Sequence, residues 1–137
     1  MLKTALTHPE ILGALGRLGH GSKILIADGN YPFDTGSNPA AAVVFLNLRP
    51  GLVNATDVLA ALVTAIPVEA AHVMNPADSS TPDIFHEFSA LLPGLELHRV
   101  ERFDFYDLAR TTDVGLVIAT GEARVYANLM LTIGVVK

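Results

Sequence analysis

The chain has 137 residues, half of them hydrophobic and only 17% charged, with a formal net charge of −5. This size predicts one domain over residues 1–137, and the scarcity of charge favours an oligomer that buries surface between its subunits. Because the chain is acidic and has no Lys/Arg cluster, binding to nucleic acid or to an anionic membrane is disfavoured. The chain also contains no cysteine, which excludes disulfide and thiolate chemistry. No apolar run approaches the roughly 20 residues of a membrane span.

Hydrophobic periodicity predicts helices and strands that alternate along the chain. In order, the predicted elements are a helix from Pro9 to Leu18, strands from Lys23 to Ala27 and Ala42 to Leu46, a helix from Val58 to Ala65, a strand from Ala70 to Met74, a helix from Pro82 to about Leu91, a strand from Leu95 to Val100, a helix from Phe103 to Arg110, and strands from Gly115 to Ala119 and Tyr126 to Ile133. The last segment fits a helix equally well by composition. The alternation predicts an α/β fold, a single three-layer domain whose mixed sheet carries helices on both faces.

His20, between Gly19 and Gly21, is the first candidate for chemistry. Imidazole exchanges a proton near neutral pH, and flanking glycines leave the ring accessible. The plain structural alternative is a histidine at a helix C-terminus, stabilised there by the macrodipole. A phosphate-binding loop is disfavoured, because these glycines follow a predicted helix rather than a strand.

Asp28 ends the predicted strand Lys23 to Ala27 and opens a long loop to Pro39. Ligands of open α/β sheets bind at the carboxyl ends of strands, and long loops in compact domains are often functional. The alternative is a side chain that only caps its own loop. The long loop and its aromatic residues Tyr31 and Phe33 favour ligand contact.

A second polar cluster follows the predicted strand Gly115 to Ala119. Glu122, Tyr126 and Asn128 supply a carboxylate, a phenol and an amide, a mixture that suits a polyhydroxylated ligand. The alternative is a turn followed by an edge-strand tyrosine. Elsewhere, the charges around Arg102 are typical of a solvated face. His8, His72 and His86 show no metal-ligand spacing, so no metal site is predicted.

Four segments together resemble the D-ribose pyranase / L-fucose mutarotase family. They are Leu18-Gly19-His20-Gly21, Ala27-Asp28, Glu101-Arg102-Phe103 with Phe105-Tyr106, and Thr120-Gly121-Glu122 with Tyr126-Ala127-Asn128. None is diagnostic alone, but the set follows the family's order and spacing over nearly the whole chain. The resemblance implies an α/β sugar isomerase that needs no cofactor and forms a cytoplasmic, ring-shaped homo-oligomer, often a decamer.

The resemblance also implies roles for individual residues. His20 corresponds to the catalytic acid/base and Asp28 to a sugar ligand, while Arg102 or its neighbour Phe103 falls at another sugar contact. The C-terminal sugar-binding segment is matched by Tyr126, Ala127 through its backbone, and Asn128. Tyr126 is the candidate for a second catalytic group, and Glu122 is a further possible sugar contact.

The sugar itself is left open. The stretch from Arg102 to Tyr106 is closer to the fucose branch, because the ribose branch carries a histidine in this region. Against this, Asp28-Gly29-Asn30-Tyr31-Pro32 and residues 47–54 depart from the fucose pattern. Either L-fucose or D-ribose is therefore a fitting monosaccharide.

The expected chemistry is acid/base ring opening. One group removes the proton of the anomeric hydroxyl while another protonates the ring oxygen, and the open-chain sugar recloses on either face or through a different hydroxyl. Positioned acid/base catalysis of this kind contributes roughly 10²–10⁴-fold. The competing hypotheses are a non-catalytic sugar-binding or transport-associated protein, which would not need His20, and a structural oligomer without a ligand.

Strand geometry constrains the site. His20 precedes a five-residue strand and Asp28 follows it, and such a strand spans about 16 Å at ~3.3 Å per residue. Two side chains that far apart do not share one small sugar. The sequence therefore predicts a site between subunits, with His20 from one copy and Asp28 from another, unless the His20 loop folds back along the sheet.

Overall fold

A computed structural model describes residues 1–137 and contains four helices and six strands. The helices are α1 (Pro9–Leu15), α2 (Ala55–Leu62), α3 (Asp83–Leu91) and α4 (Arg102–Ala109). The strands are β1 (Lys23–Ala27), β2 (Ala42–Phe45), β3 (Val68–Met74), β4 (Leu97–Val100), β5 (Val114–Ala119) and β6 (Leu129–Ile133). All ten predicted elements are present, and only their ends differ from the prediction.

The six strands form one mixed sheet in the order β2-β5-β1-β6-β3-β4. Strand β6 runs antiparallel to both of its neighbours, β1 and β3, whereas the other pairs are parallel. Strands β1 to β5 therefore all end at the same edge of the sheet, and β6 begins there. The predicted mixed sheet is confirmed.

Helices cover both faces of this sheet, as predicted. On one face α1, α2 and α3 enclose the larger core, to which β1 contributes Ile24 and Ile26. On the other face α4 places Phe105 and Ala109 against Leu25 of the same strand. Alternate residues of β1 thus enter opposite cores, which is why this strand reads as a continuous apolar run.

The end of α1 and the start of α2 both differ from the prediction. The prediction that α1 extends to Leu18 is wrong: the helix ends at Leu15, and Arg17 and Leu18 donate to carbonyls only three residues back, so the chain tightens into turns. Helix α2 begins three residues earlier than predicted. There the Asp57 carboxylate accepts a 3.1 Å hydrogen bond from the backbone N–H of Asn54.

The start of the last strand also differs from the prediction. Strand β6 begins at Leu129 rather than Tyr126, because Tyr126 has a φ of 59°, in the left-handed region that interrupts a strand. The four helices are all shorter than a bilayer crossing requires, and none qualifies as a membrane span.

Candidate functional site

Polar side chains meet where β1 and β5 end and β6 begins. Residue Leu129 pairs with Ile26 across the antiparallel β1–β6 ladder, so the preceding Asn128 comes beside Asp28. Thr120, which follows β5, anchors the same edge by donating its hydroxyl to the Ala27 carbonyl at 2.7 Å. The topology therefore brings together two residues that lie 100 positions apart.

Asp28 and Asn128 form a reciprocal pair. The backbone N–H of Asp28 donates to Asn128 Oδ1 at 2.8 Å, and Asn128 Nδ2 donates to Asp28 Oδ2 at 3.0 Å. The other carboxylate oxygen accepts from the backbone N–H of Asn30 at 3.0 Å. Both side chains are buried. The pair fixes an acceptor-rich carboxylate at the base of a cavity.

Burial raises the pKa of Asp28 above its ordinary value, although hydrogen bonds from Asn30, Ala127, Tyr31 and Asn128 partly oppose this shift. Burial dominates because an apolar environment disfavours the charged form of a carboxyl group. Asp28 is consequently easier to protonate than a surface aspartate.

An open cavity of about 260 Å³ lies over the Asp28–Asn128 pair. Its lining combines polar groups with three tyrosine rings and two apolar side chains: Asp28, Asn30, Tyr31, Met74, Arg102, Tyr106, Val125, Tyr126 and Asn128. The volume is just below the usual range of ligand sites, about 300–1,000 Å³, and donors and acceptors converge on the cavity. A small hydroxylated molecule matches both properties.

Tyr31 and Tyr106 form an aromatic wall of the cavity. Tyr31 is buried, and its hydroxyl donates to the Gly36 carbonyl at 2.6 Å. Its ring lies 5.4 Å from that of Tyr106, over which the Arg102 guanidinium sits at 5.9 Å. From the sequence, Tyr31 was identified only as an aromatic residue in a polar loop. Tyr106 was given no individual role, because nothing in the sequence indicates that α4 borders the cavity.

The cavity distinguishes Arg102 from its neighbour Phe103, either of which the resemblance allowed as a sugar contact. Arg102 lines it, whereas Phe103 is 67% exposed and does not. Ala127 is fully buried, and a sugar contact through its backbone stays a prediction. Tyr126 lines the cavity from the segment before β6.

Glu122 lies outside this cavity. It lines an adjacent polar cavity of about 310 Å³ together with Asn47, Arg49 and Thr120. Its own carboxylate is bound by Arg124 and by the backbone N–H of Ala55. Although burial acts to raise the pKa of Glu122, these bonds outweigh it and hold that pKa below its usual value. A direct sugar contact by Glu122 stays a prediction.

His20 lies at the opposite edge of the sheet. Helix α1 ends five residues before it, so it is not a helix C-terminal histidine. It sits in a turn in which Gly21 has a φ of 84°, a conformation that glycine adopts readily. The Gly21 N–H donates to the carbonyl of Ile133, and Ile133 in turn donates to Ser22. These bonds tie the turn to the end of β6, so the loop does not fold back towards Asp28.

The partner of His20 is Glu69, at the start of β3. Both carboxylate oxygens lie near His20 Nε2, at 3.1 and 3.0 Å, and the two side chains are 59% and 44% exposed. A carboxylate on one ring nitrogen orients an imidazole and selects its tautomer. The sequence reasoning missed Glu69, because nothing in a strand 49 residues away marks it as the neighbour of His20.

One chain thus carries these two groups of residues at opposite ends of β1. The end where β1 finishes carries the cavity, and the end where β1 begins carries His20 with Glu69. The five-residue strand β1 lies between them, and at ~3.3 Å per residue it spans about 16 Å. Across the whole chain, no group of three or more His, Asp and Glu side chains is arranged to hold a metal ion.

Comparisons with a family model, with known relatives and with solved structures all identify the same group of proteins. The model of the RbsD / FucU transport protein family matches residues 1–136. D-ribose pyranase 2 from Streptomyces griseus is 32% identical over 135 residues, which cover 98% of each chain. Human fucose mutarotase is 32% identical over 146 aligned positions, covering 96% of this chain and 90% of the relative. The structure of Bacillus subtilis RbsD complexed with D-ribose aligns over 100% of both chains, with a TM-score of 0.86 and 28% identity.

Proposed function

This chain belongs to the RbsD / FucU family, and on that premise we propose that it is a sugar mutarotase or pyranase. It is an isomerase that interconverts the anomers, or the pyranose and furanose forms, of a monosaccharide such as L-fucose or D-ribose. Relatives over nearly the full length carry both names. The observation that carries the proposal is the cavity over the Asp28–Asn128 pair, whose polar groups suit a small polyol.

Within the cavity, each polar group has a distinct task. The Asp28 carboxylate accepts hydrogen bonds from sugar hydroxyls, and Arg102 donates to sugar oxygens. Asn128 holds the carboxylate in place and lines the cavity beside it. Tyr126 either exchanges the second proton of the reaction or orients the sugar, and the Ala127 backbone completes the segment.

His20 supplies the acid/base group from a second copy of the chain. Within one chain the His20 turn is fixed at the far edge of the sheet, so a complete site needs two subunits. Exposed apolar side chains occur at both ends of the sheet: Phe103 and Val125 beside the cavity, and Val135 and Val136 shortly after Ile133. We propose that contacts of this kind join the copies into a ring-shaped homo-oligomer of up to ten subunits, located in the cytoplasm.

A non-catalytic sugar-binding protein is the second candidate. One observation favours it: the cavity in a single chain is formed without His20. Such a protein would hold the same sugar through Asp28, Arg102 and Asn128 but would not speed its ring opening. The two functions differ in whether exchange is accelerated.

An exchange measurement tests the proposed function directly. The purified protein is added to equilibrated fucose, ribose or galactose, and saturation-transfer NMR gives the rates between ring forms. We expect at least one of fucose and ribose to exchange faster in proportion to protein concentration. Binding to a sugar without any acceleration would support the non-catalytic alternative.

Arg102 and Phe103 are expected to differ in their effect on sugar binding. Replacing Arg102 with Ala removes donors from the cavity and should raise KM about tenfold, as for the loss of a hydrogen bond from a charged group. Phe103→Ala removes a side chain outside the cavity, so KM should stay within about twofold at a protein concentration that preserves assembly. Steady-state NMR exchange rates over a range of sugar concentrations give both values. Equal KM values for the two variants would contradict the assignment.

A further inference from the structure

Tyr126 has a backbone conformation that needs support. Its φ of 59° lies in the left-handed region, which residues other than glycine seldom occupy unless their surroundings impose it. The same short segment, residues 120–128, also carries Asn128, the partner of Asp28. The contacts that hold this segment therefore also determine the positions of two residues that line the cavity, Tyr126 and Asn128.

Glu122 is the centre of that support. Its side chain is only 2% exposed. Its carboxylate accepts from the backbone N–H of Ala55 at 3.2 Å, at the start of α2, and from the backbone N–H of Arg124 at 3.0 Å. Its own carbonyl accepts from the N–H of Gly29 at 2.9 Å. One buried residue thus connects the 120–128 segment with α2 and with the residue that follows Asp28.

Arg124 completes the connection through its side chain. Its guanidinium donates to both carboxylate oxygens of Glu122, from Nε at 2.9 Å and from Nη2 at 3.0 Å. Its Nη1 also pairs with Glu87 on α3. This two-pronged geometry fixes orientation as well as distance. Neither Glu122 nor Arg124 lines the cavity over Asp28, so their effect on it passes through Tyr126 and Asn128.

We propose that Glu122 and Arg124 are positioning residues that hold Tyr126 and Asn128 in the geometry a sugar requires. The inference rests on the proposed function of the cavity. Glu122 then acts on the sugar through the backbone of the 120–128 segment rather than by touching it. With Tyr126 orienting the sugar and His20 transferring the proton from the far edge of the sheet, loosening the segment weakens sugar binding more than it slows proton transfer.

Arg124→Ala tests this role, because Arg124 is exposed enough for the variant to fold without it. We expect KM for the accelerated sugar to rise about tenfold while kcat falls less than about threefold. Amide hydrogen exchange of residues 125–128 should become about tenfold faster. Arg124→Lys, which keeps the charge but not the two-pronged geometry, should recover part of both losses.

Arg17→Ala is the matched control, since Arg17 is exposed and outside this network. Circular dichroism confirms that each variant is folded. A KM for Arg124→Ala within about twofold of wild type, or amide exchange equal to that of Arg17→Ala, overturns the positioning role. If the wild-type protein accelerates no sugar, the proposed function fails, and the amide-exchange comparison alone decides whether the pair holds the segment.

Discussion

His20→Ala is expected to slow sugar ring exchange by about 10²- to 10⁴-fold, the contribution of a positioned acid/base group. The groups proposed to bind the sugar, Asp28, Arg102 and Asn128, line the cavity without His20, so affinity for the sugar should change little. Saturation-transfer NMR gives the exchange rate, and titration of sugar resonances gives the affinity. The expected signature is therefore a loss of kcat with a preserved dissociation constant.

His86→Ala serves as the control for this variant, because His86 is an exposed histidine on α3. It should exchange sugar at the wild-type rate. Full exchange by His20→Ala in a variant that still binds sugar would remove His20 from the mechanism and leave Tyr126 as the principal acid/base group.

Asp28→Asn is expected to raise KM by roughly ten- to a hundredfold, because a charged acceptor is lost from the cavity. The folded protein should also lose about 1–3 kcal/mol of stability. Both carboxylate oxygens accept hydrogen bonds, from Asn30 N–H and from Asn128 Nδ2, and an amide has only one acceptor oxygen to offer. In the variant, either Asn30 N–H or Asn128 Nδ2 therefore faces the NH₂ group of the new amide, which is also a donor. Urea unfolding and NMR kinetics measure the two effects.

Asp34→Asn is the matched control, since Asp34 is an exposed carboxylate away from the cavity. It should change neither KM nor stability. An Asp28→Asn variant whose KM equals that of Asp34→Asn would exclude Asp28 as a sugar ligand.

The raised pKa of Asp28 gives the wild-type enzyme a pH dependence of known sign. A buried acid whose pKa is higher in the folded than in the unfolded chain destabilises the fold while ionised, and this cost is relieved as pH falls through the folded pKa. The same protonation removes the acceptor for the sugar. KM should therefore rise on acidification at a pH above the ordinary aspartate range, and Asp28→Asn should abolish that rise. A KM independent of pH until the protein unfolds would contradict this.

Much of the fold follows from local pattern. The apolar run Lys23 to Ala27 and the polar loop after it placed Asp28 at a strand end, where β1 indeed delivers it. The 3.6-residue spacing around Ile11 identified α1, with Pro9 in its first turn. Such features depend on neighbours in sequence, so one chain is enough to predict them.

The remaining features depend on contacts between distant residues or on backbone conformation. The pairing of His20 with Glu69 arises because the turn before β1 meets the start of β3, two strands away in the sheet. The left-handed Tyr126 shortened the predicted last strand, and nothing about a tyrosine signals that conformation. Glu122 was chosen for its carboxylate, but the burial that directs it to Ala55 and Arg124 is a property of the fold alone.

The central claim is that His20 of one copy completes the cavity of another, and subunit mixing tests it most directly. His20→Ala and Asp28→Asn chains are dissociated, combined in equal amounts and reassembled. In a randomly mixed oligomer with shared sites, about a quarter of the sites combine an intact His20 with an intact Asp28, so exchange measured at sugar concentrations well below KM should recover to about a quarter of the wild-type rate. Reassembled mixtures no more active than the average of the two separate variants would show that both residues act within one chain.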